Sequence, residues 1–184
     1  MKYASGQKYM SSPVKPFYGS TYGFTLPELM ITLAVVAILI AISAPSMQSM
    51  IVNQRVASTT RDVYGSLLLA RSEAVKRHQS ISVCSSVNGA SCDEDNTGWH
   101  HGWLIFSDKN QDGIFDGDDQ LLRAVPEQAA LITITWNRGY SVTFNSRGQT
   151  TTAGSFEICL DNIIRAIVMT VTGRARVEER QVCS

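Results

Sequence analysis

The 184-residue sequence lacks net charge, because 16 lysines and arginines balance 16 aspartates and glutamates. The overall charge therefore gives no indication of a nucleic-acid or acidic-lipid partner. The sequence also lacks internal repeats and low-complexity tracts, which argues against a solenoid or a disordered chain. It contains no glycine-flanked serine elbow and no comparable pairing of a nucleophile with a base, so we do not expect an enzyme.

Long hydrophobic runs are scarce, and the single one lies near the amino terminus. Residues 24–44 contain one charge, Glu28, and are numerous enough to cross a bilayer as a helix. Residues 1–23 contain three lysines and no acid, which favours a leader retained in the cytoplasm. The alternative is an ordinary secretory signal cut after Ala44, although Pro45 would then follow the cut. A carboxylate in such a run costs about 2.5–3.5 kcal/mol at the centre of a span, so Glu28 requires an explanation.

The sequence pattern changes twice after residue 45. Residues 46–80 have apolar side chains at spacings of three and four, which predict a continuing amphipathic helix with a basic outer face. After residue 80 the period becomes two in seven short segments, which predict strands at 81–83, 103–106, 121–125, 132–136, 140–144, 156–160 and 167–171. We therefore expect an α+β fold in which a long amino-terminal helix packs on one antiparallel sheet or on two small ones.

Four cysteines form two groups along the chain. Cys84 lies near Cys92, and Cys159 lies near Cys183. In an exported protein the simplest pairing is Cys84–Cys92 and Cys159–Cys183, although four cysteines allow three connectivities. The alternative is four buried free thiols, as in a reducing compartment.

Acidic residues concentrate in residues 81–119, where eight acids and one base give a charge of −7. Within this range the segment DKNQDGIFDGDD, residues 108–119, resembles a calcium loop with Gly113 in the sharp turn. The oxygen ligands would come from Asp108, Asn110, Asp112, the carbonyl of Ile114, Asp116 and Asp119. The segment ends on Asp rather than Glu and lies between predicted strands rather than helices. The alternative is an acidic hairpin turn whose side chains accept hydrogen bonds from backbone N–H groups.

The segment GFTLPELMITLAVVAILIAISAPS, residues 23–46, resembles the amino terminus of type IV prepilins and type II secretion pseudopilins. This resemblance implies that a prepilin peptidase cuts between Gly23 and Phe24 and that Phe24 is then N-methylated. It also implies that Glu28 becomes the fifth residue of the mature chain and that Pro45 bends the helix near the end of its apolar half. The leader is long for the family, so Met10 is an alternative start.

The resemblance gives Glu28 a physical role. In a filament of such subunits the apolar half-helices pack together, and Glu28 would pair with the amino-terminal ammonium group of a neighbour. Breaking this pair leaves a desolvated charge, so the contact penalises a wrong axial register even where its net contribution to stability is small. The alternative is that the carboxylate extends to the lipid headgroups.

The carboxy-terminal stretch TGRARVEERQVCS places Arg174 and Arg176 two residues apart. In an extended segment both side chains project the same way, and Arg180 extends the row. Such a row can contact consecutive phosphates without distinguishing bases. The stretch resembles the Gly-Arg-x-Arg motif of FimT-type minor pilins, which implies binding of double-stranded DNA during natural transformation. The alternative is that the arginines pair with Glu178, Glu179 or the acidic segment.

Together with GWLIFSDKNQDG, residues 102–113, this stretch resembles the GspH/FimT/FimU group of minor pilins and pseudopilins. The resemblance implies a prepilin leader (1–23), a transmembrane and assembly half-helix (24–44), an amphipathic half-helix (45–80) and a periplasmic β-rich domain (81–184). It implies a single-pass inner-membrane protein without a cofactor, which assembles with other pilins at or near the tip of a type IV pilus or type II secretion pseudopilus. DNA capture for uptake is the alternative function.

Overall fold

The apolar run and the amphipathic segment after it form a helix, α1, at Leu26–Arg77. The computed structural model of the chain describes residues 23–95, 98–180 and 183. The chain divides into two units, Met1–Ser43 and Ala44–Ser184. Pro27 lies in the first turn of α1, where its missing N–H group costs no hydrogen bond within the helix.

In the second unit, α1 buries one stripe of apolar side chains. These residues recur at the spacings of a helix face and comprise Val56, Val63, Leu67, Ala70 and Ala74. The helix ends in a Schellman motif, in which His78 has a φ of 54° and the Gln79 N–H group donates to the Ala74 carbonyl at 3.3 Å. This motif ends α1 at Arg77, three residues before the predicted end.

Within the described residues, eight strands follow: β1 (Ile81–Ser85), β2 (Trp103–Ser107), β3 (Gln120–Val125), β4 (Thr133–Trp136), β5 (Ser141–Phe144), β6 (Gly154–Leu160), β7 (Ile163–Met169) and β8 (Ala175–Arg180). They form two four-stranded sheets, sheet A in the order β3-β2-β1-β5 and sheet B in the order β4-β6-β7-β8. Every pairing is antiparallel. The predicted α+β fold is confirmed, with two small sheets rather than one.

The main core joins the apolar stripe of α1 to one face of each sheet. Within it the indole N–H of Trp103 donates to the hydroxyl of Ser66 on α1 at 2.9 Å. Phe156 of sheet B lies against two tryptophans, with ring centroids 4.8 Å from Trp99 and 4.4 Å from Trp136. The shared core thereby packs both sheets against the helix.

A second, smaller core lies on the opposite face of sheet A. Cys84, Leu104 and Phe106 are buried there, and the partly buried Cys92 and Phe115 pack against them. Because both faces are covered, β1 and β2 are buried at every position. The loops that cover this face are therefore part of the packed structure.

Six of the seven predicted strands agree with β1 to β6 within two residues. The seventh prediction, 167–171, is wrong in its bounds, because the chain turns at Asp161 and β7 already begins at Ile163. β8 was expected only as an extended segment. It is an edge strand with mostly polar, exposed side chains, so its sequence shows no apolar alternation.

Among the described residues, no single helix has the length and hydropathy of a membrane span. The parts of α1 at Leu26–Ile42 and Met47–Arg77 have them when the two are taken together.

Candidate functional site

The amino-terminal segment begins with an exposed, non-helical stretch at residues 23–25. Phe24 is 79% exposed, so the peptide bond between Gly23 and Phe24 is accessible. Glu28 lies in the first turn of α1, where the partial positive charge of the helix terminus favours a carboxylate.

Large apolar side chains cover all sides of the first part of α1. They are between 49% and 73% exposed and comprise Leu26, Leu29, Met30, Ile31, Leu33, Val35, Val36, Ile38, Leu39, Ile40 and Ile42. Full burial of one such side chain contributes about 1.5–3 kcal/mol, so covering the whole set is worth on the order of 10 kcal/mol. A helix that is apolar all round requires lipid or an apolar protein surface around it.

Two predictions for this segment lie outside what the structure describes. Residues 1–22, including the alternative start Met10, are outside the described residues. The backbone of Pro45 lies within α1, but its side chain is not among those that the structure describes. The bend of the helix at Pro45 therefore stays a prediction.

Both predicted disulfides are present, and no cysteine is free. The Cys84–Cys92 bond, with a Cα–Cα distance of 5.6 Å, joins β1 to the loop over the outer face of sheet A. The Cys159–Cys183 bond, with a Cα–Cα distance of 6.0 Å, joins β6 to the chain after β8. The second bond thereby secures the end of the chain that follows the candidate DNA-binding arginines.

The acidic segment is organised around Asp108, which is 1% exposed. One carboxylate oxygen accepts hydrogen bonds from the Ser82 hydroxyl at 2.6 Å and the Gly113 N–H group at 3.0 Å. The other accepts from the Gln111 N–H group at 2.6 Å. Hydrogen-bond donors of the protein therefore contact both carboxylate oxygens of Asp108.

Three of the remaining predicted calcium ligands, Asn110, Asp112 and Asp119, also form hydrogen bonds within the turn. The carboxylate of Asp112 accepts from the Ile114 N–H group at 2.8 Å and from the Asn110 amide at 2.7 Å. Asp119 accepts from the N–H groups of Lys109 at 3.1 Å and Asp116 at 3.4 Å. Among the described residues, no three His, Cys, Asp or Glu side chains are grouped so as to hold a metal ion. This arrangement favours the acidic hairpin turn over the calcium loop.

Arg174 and Arg176 line one groove at the start of β8. The groove has a volume of about 480 Å³, and its other lining residues are Thr170, Thr172 and Ala175. The hydroxyls of Thr170 and Thr172 lie 2.8 Å apart. Two guanidinium groups and two hydroxyls can thus contact one anionic ligand.

Ion pairs distinguish the three arginines at 174, 176 and 180, of which the last two lie in β8. Arg176 pairs with Glu178 at 2.7 Å, and both side chains are substantially exposed, at 68% and 37%. Arg180 pairs with Glu157 of β6, which takes it out of the predicted row. Arg174 is exposed and forms no ion pair within the described part of the chain. The alternative interpretation, pairing with neighbouring glutamates, therefore applies to Arg176 but not to Arg174.

Sequence reasoning missed the residue that positions this groove, Arg71 of α1. Its Nε–H group donates to the carbonyl of Gly148 at 3.0 Å, and its Nη2 group donates to the carbonyl of Thr172 at 3.3 Å. Gly148 and Gly173 meet at this point, with φ values of 70° and 73°. A Cβ atom on Gly173 would lie 1.9 Å from the Gly148 oxygen, so the approach requires glycine. The helical spacing of the sequence placed Arg71 only on the basic face of α1. No sequence pattern indicated its contacts with the turns at Gly148 and Thr172.

Two ranges of the chain match models of known protein families. A family model described as type II transport protein GspH matches residues 59–175, and a model of the prokaryotic N-terminal methylation motif matches residues 20–44. No curated protein gave a significant match.

Solved structures of minor pilins share the fold. The crystal structure of the type IV minor pilin FimU of Pseudomonas aeruginosa in space group P21 has a TM-score of 0.57 and 22% identity, covering 72% of this chain and 97% of that chain. A second FimU crystal form has a TM-score of 0.53 and 22% identity, covering 70% and 99%. The minor pseudopilin EpsH of Vibrio cholerae has a TM-score of 0.49 and 13% identity, covering 68% and 97%.

The GspH model covers more than half of the chain, from the middle of α1 to the start of β8. The methylation motif covers the apolar run, and the expected GspH/FimT/FimU group is confirmed. Pilins and pseudopilins are structural proteins rather than enzymes. The chain belongs to the GspH family and is a minor pilin or pseudopilin with a prepilin-type amino terminus.

Proposed function

We propose that this protein is a structural minor subunit of a type IV pilus or a type II secretion pseudopilus. Prepilin peptidase cuts it between Gly23 and Phe24, and Phe24 is then methylated. Residues 24–44 hold it in the inner membrane as a single span with the β-rich domain in the periplasm. It then joins other pilins at or near the filament tip.

The observation that carries this proposal is the apolar first part of α1 with Glu28 in its first turn. Side chains on all sides of this segment are exposed, and covering them is worth on the order of 10 kcal/mol, so lipid or neighbouring half-helices are expected around it. In that surrounding a lone carboxylate needs a positive partner. The ammonium group that cleavage creates at Phe24 of a neighbouring subunit is such a partner.

The disulfides support the periplasmic side of the proposal. Cys84–Cys92 and Cys159–Cys183 both form within the β-rich domain. Disulfides persist in oxidising compartments such as the periplasm and are rare in the cytoplasm.

Three measurements on cells that express the chain test the proposal. Intact-mass analysis should find a mature form that begins at methylated Phe24. Glu28→Gln should be cleaved and inserted normally but should be depleted from sheared filaments, whereas Asp62→Asn, on an exposed part of α1, should assemble like the wild type. A mature chain beginning at Pro45, or normal assembly of Glu28→Gln, would refute the proposal. Immunogold labelling along the filament instead of at its end would remove the tip location alone.

A second candidate function is the binding of double-stranded DNA through Arg174 and Arg176. The groove supports it, because two exposed arginines and two threonine hydroxyls line one surface. Binding should be weak and sensitive to salt, since loss of the three leader lysines leaves 13 bases against 16 acids.

Fluorescence anisotropy with a labelled duplex, at low and at moderate salt, tests this function on the full chain in nanodiscs of neutral lipid. Arg174→Ala/Arg176→Ala should weaken binding at low salt. Absence of wild-type binding, or equal binding by the double variant, would exclude a DNA role for the groove and would leave the structural role untouched.

A further inference from the structure

The turn at Gly148 brings another arginine beside the groove. The Thr150 N–H group donates to the Val171 carbonyl at 3.1 Å, and Gly148 and Gly173 are in backbone contact. Both glycines are buried, whereas Arg147 and Arg174, which are adjacent to them in sequence, are exposed. The β5–β6 turn and the β7–β8 turn thus present one arginine each on neighbouring parts of the surface.

The contact between the two glycines sets an upper limit on the distance between Arg147 and Arg174. The contact between the glycine backbones and the 3.8 Å spacing of consecutive Cα atoms place the Cα atoms of Arg147 and Arg174 within about 13 Å of each other. One strand of duplex DNA carries a phosphate per 3.4 Å of helix axis, so consecutive phosphates lie within this limit. Two guanidinium groups at this separation can contact different phosphates of one strand.

The charge around these arginines is not neutralised. Neither Arg147 nor Arg174 forms an ion pair in the described ranges. Glu73, two residues after Arg71 on α1, already pairs with Lys76 and Arg77, and Glu178 already pairs with Arg176. The junction of the two turns is therefore an exposed cationic surface.

Arg71 fixes the geometry of this surface without forming part of it. It donates to a carbonyl in each turn, at Gly148 and at Thr172, and so connects both turns to α1. The two exposed arginines are consequently presented by a braced pair of turns rather than by independent loops, which lowers the entropy lost on binding.

We propose that Arg147 is a phosphate contact of the DNA-binding surface and that the row runs Arg147–Arg174–Arg176 instead of continuing to Arg180. Arg176 stays in the row because its pair with Glu178 lies within one strand and both side chains are exposed, whereas Arg180 is held by the less exposed Glu157 of β6. This inference rests on the second candidate function given above. Three phosphate contacts predict a slope of about −2.7 for the logarithm of affinity against the logarithm of salt concentration, and two contacts predict about −1.8.

The test compares five forms of the full chain in nanodiscs of phosphatidylcholine, with a short fluorescein-labelled duplex as the probe: the wild type, Arg147→Ala, Arg147→Lys, Arg123→Ala and the double variant Arg174→Ala/Arg176→Ala. Arg147→Ala should bind more weakly than the wild type at low salt, and its salt slope should be shallower by about 0.9. The affinity ratio of wild type to Arg147→Ala should fall about 3.5-fold between 50 and 200 mM salt. Arg147→Lys should keep the wild-type slope, because it keeps the charge. Arg123→Ala, which removes an exposed arginine from β3 of sheet A, is the matched control and should bind like the wild type.

The outcomes separate this proposal from the function on which it rests. If Arg174→Ala/Arg176→Ala weakens binding and Arg147→Ala leaves affinity and slope unchanged, Arg147 is excluded and the groove function stands. If the wild type does not bind the duplex, both the Arg147 proposal and the DNA-binding function of the groove are wrong. If Arg147→Ala and Arg123→Ala weaken binding equally, the effect is one of overall charge and the proposal is wrong. Equal thermal midpoints of wild type and Arg147→Ala exclude misfolding as the cause of weaker binding. If the midpoint of Arg147→Ala is lowered, Arg147→Lys decides the question, because it must bind like the wild type.

Discussion

The contact between Gly148 and Gly173 predicts that the substitution Gly173→Ala destabilises the folded protein. The added Cβ atom would lie 1.9 Å from the Gly148 oxygen, well inside van der Waals distance. That oxygen also accepts the 3.0 Å hydrogen bond from Arg71. The substitution should therefore separate the two turns and break their connection to α1.

The expected cost has two parts. An alanine at a φ of 73° costs about 1–2 kcal/mol from backbone sterics. Displacing the Gly148 carbonyl breaks a hydrogen bond to a charged group, which is worth about 1.5–3 kcal/mol. The sum is about 3 kcal/mol or more, which should lower the thermal midpoint of a chain of this size by about 6–12 °C.

Gly89 provides the matched control. Its φ is 69°, nearly that of Gly173, but a Cβ atom there would meet nothing within 4 Å. Gly89→Ala should therefore cost the backbone part alone, about 1–2 kcal/mol. Thermal and urea denaturation of both variants, followed by circular dichroism with the disulfides intact, measure the difference. Equal losses for the two variants would show that the turns do not depend on this contact.

Three further predictions concern other parts of the second unit, Ala44–Ser184. Gly65 lies inside α1 with open space around its Cα, so Gly65→Ala should raise the free energy of unfolding by about 0.5–1 kcal/mol in urea denaturation, and a loss would indicate a hidden contact. Burial and, secondarily, the charge of His101 lower the pKa of His100, so the neutral form is favoured in the folded protein and stability should fall as the pH drops below about 6.5. The midpoint should then change less between about pH 7.5 and pH 5 in His100→Gln than in the wild type, and equal changes would refute this assignment. Asp108→Ala leaves three donors without their acceptor and should cost about 2–4 kcal/mol, whereas EDTA should not change the wild-type midpoint; destabilisation by EDTA would restore the calcium hypothesis.

Local patterns predicted most of the fold because local physics determines it. The alternation of apolar and polar residues located β1 to β6, and the apolar stripe located α1. β8 was not predicted because an edge strand needs little apolar surface, and its last three residues are all charged. The end of α1 was displaced because His78 adopts the left-handed conformation that glycine usually supplies.

The candidate site was predictable only in part, because contacts across long sequence distances build it. Arg174 and Arg176 were found from their spacing, and the cysteine pairs were found from their grouping. Arg71 contacts partners 77 and 101 residues away, which no periodicity can reveal. The same holds for Arg147, whose proximity to Arg174 follows from the meeting of two glycines in different turns. The withdrawal of Arg180 by Glu157 also depends on the sheet, since β7 lies between their strands.

The second core behind sheet A has a consequence for where this protein accepts extra residues. Loops usually tolerate insertions, but those at 86–95 and 108–119 shield Cys84, Leu104 and Phe106 from water. An epitope tag placed in either loop would expose these apolar side chains of β1 and β2, whose positions are all buried. The connection at 126–131, whose side chains are mostly exposed, is the better position for a tag or a fluorophore.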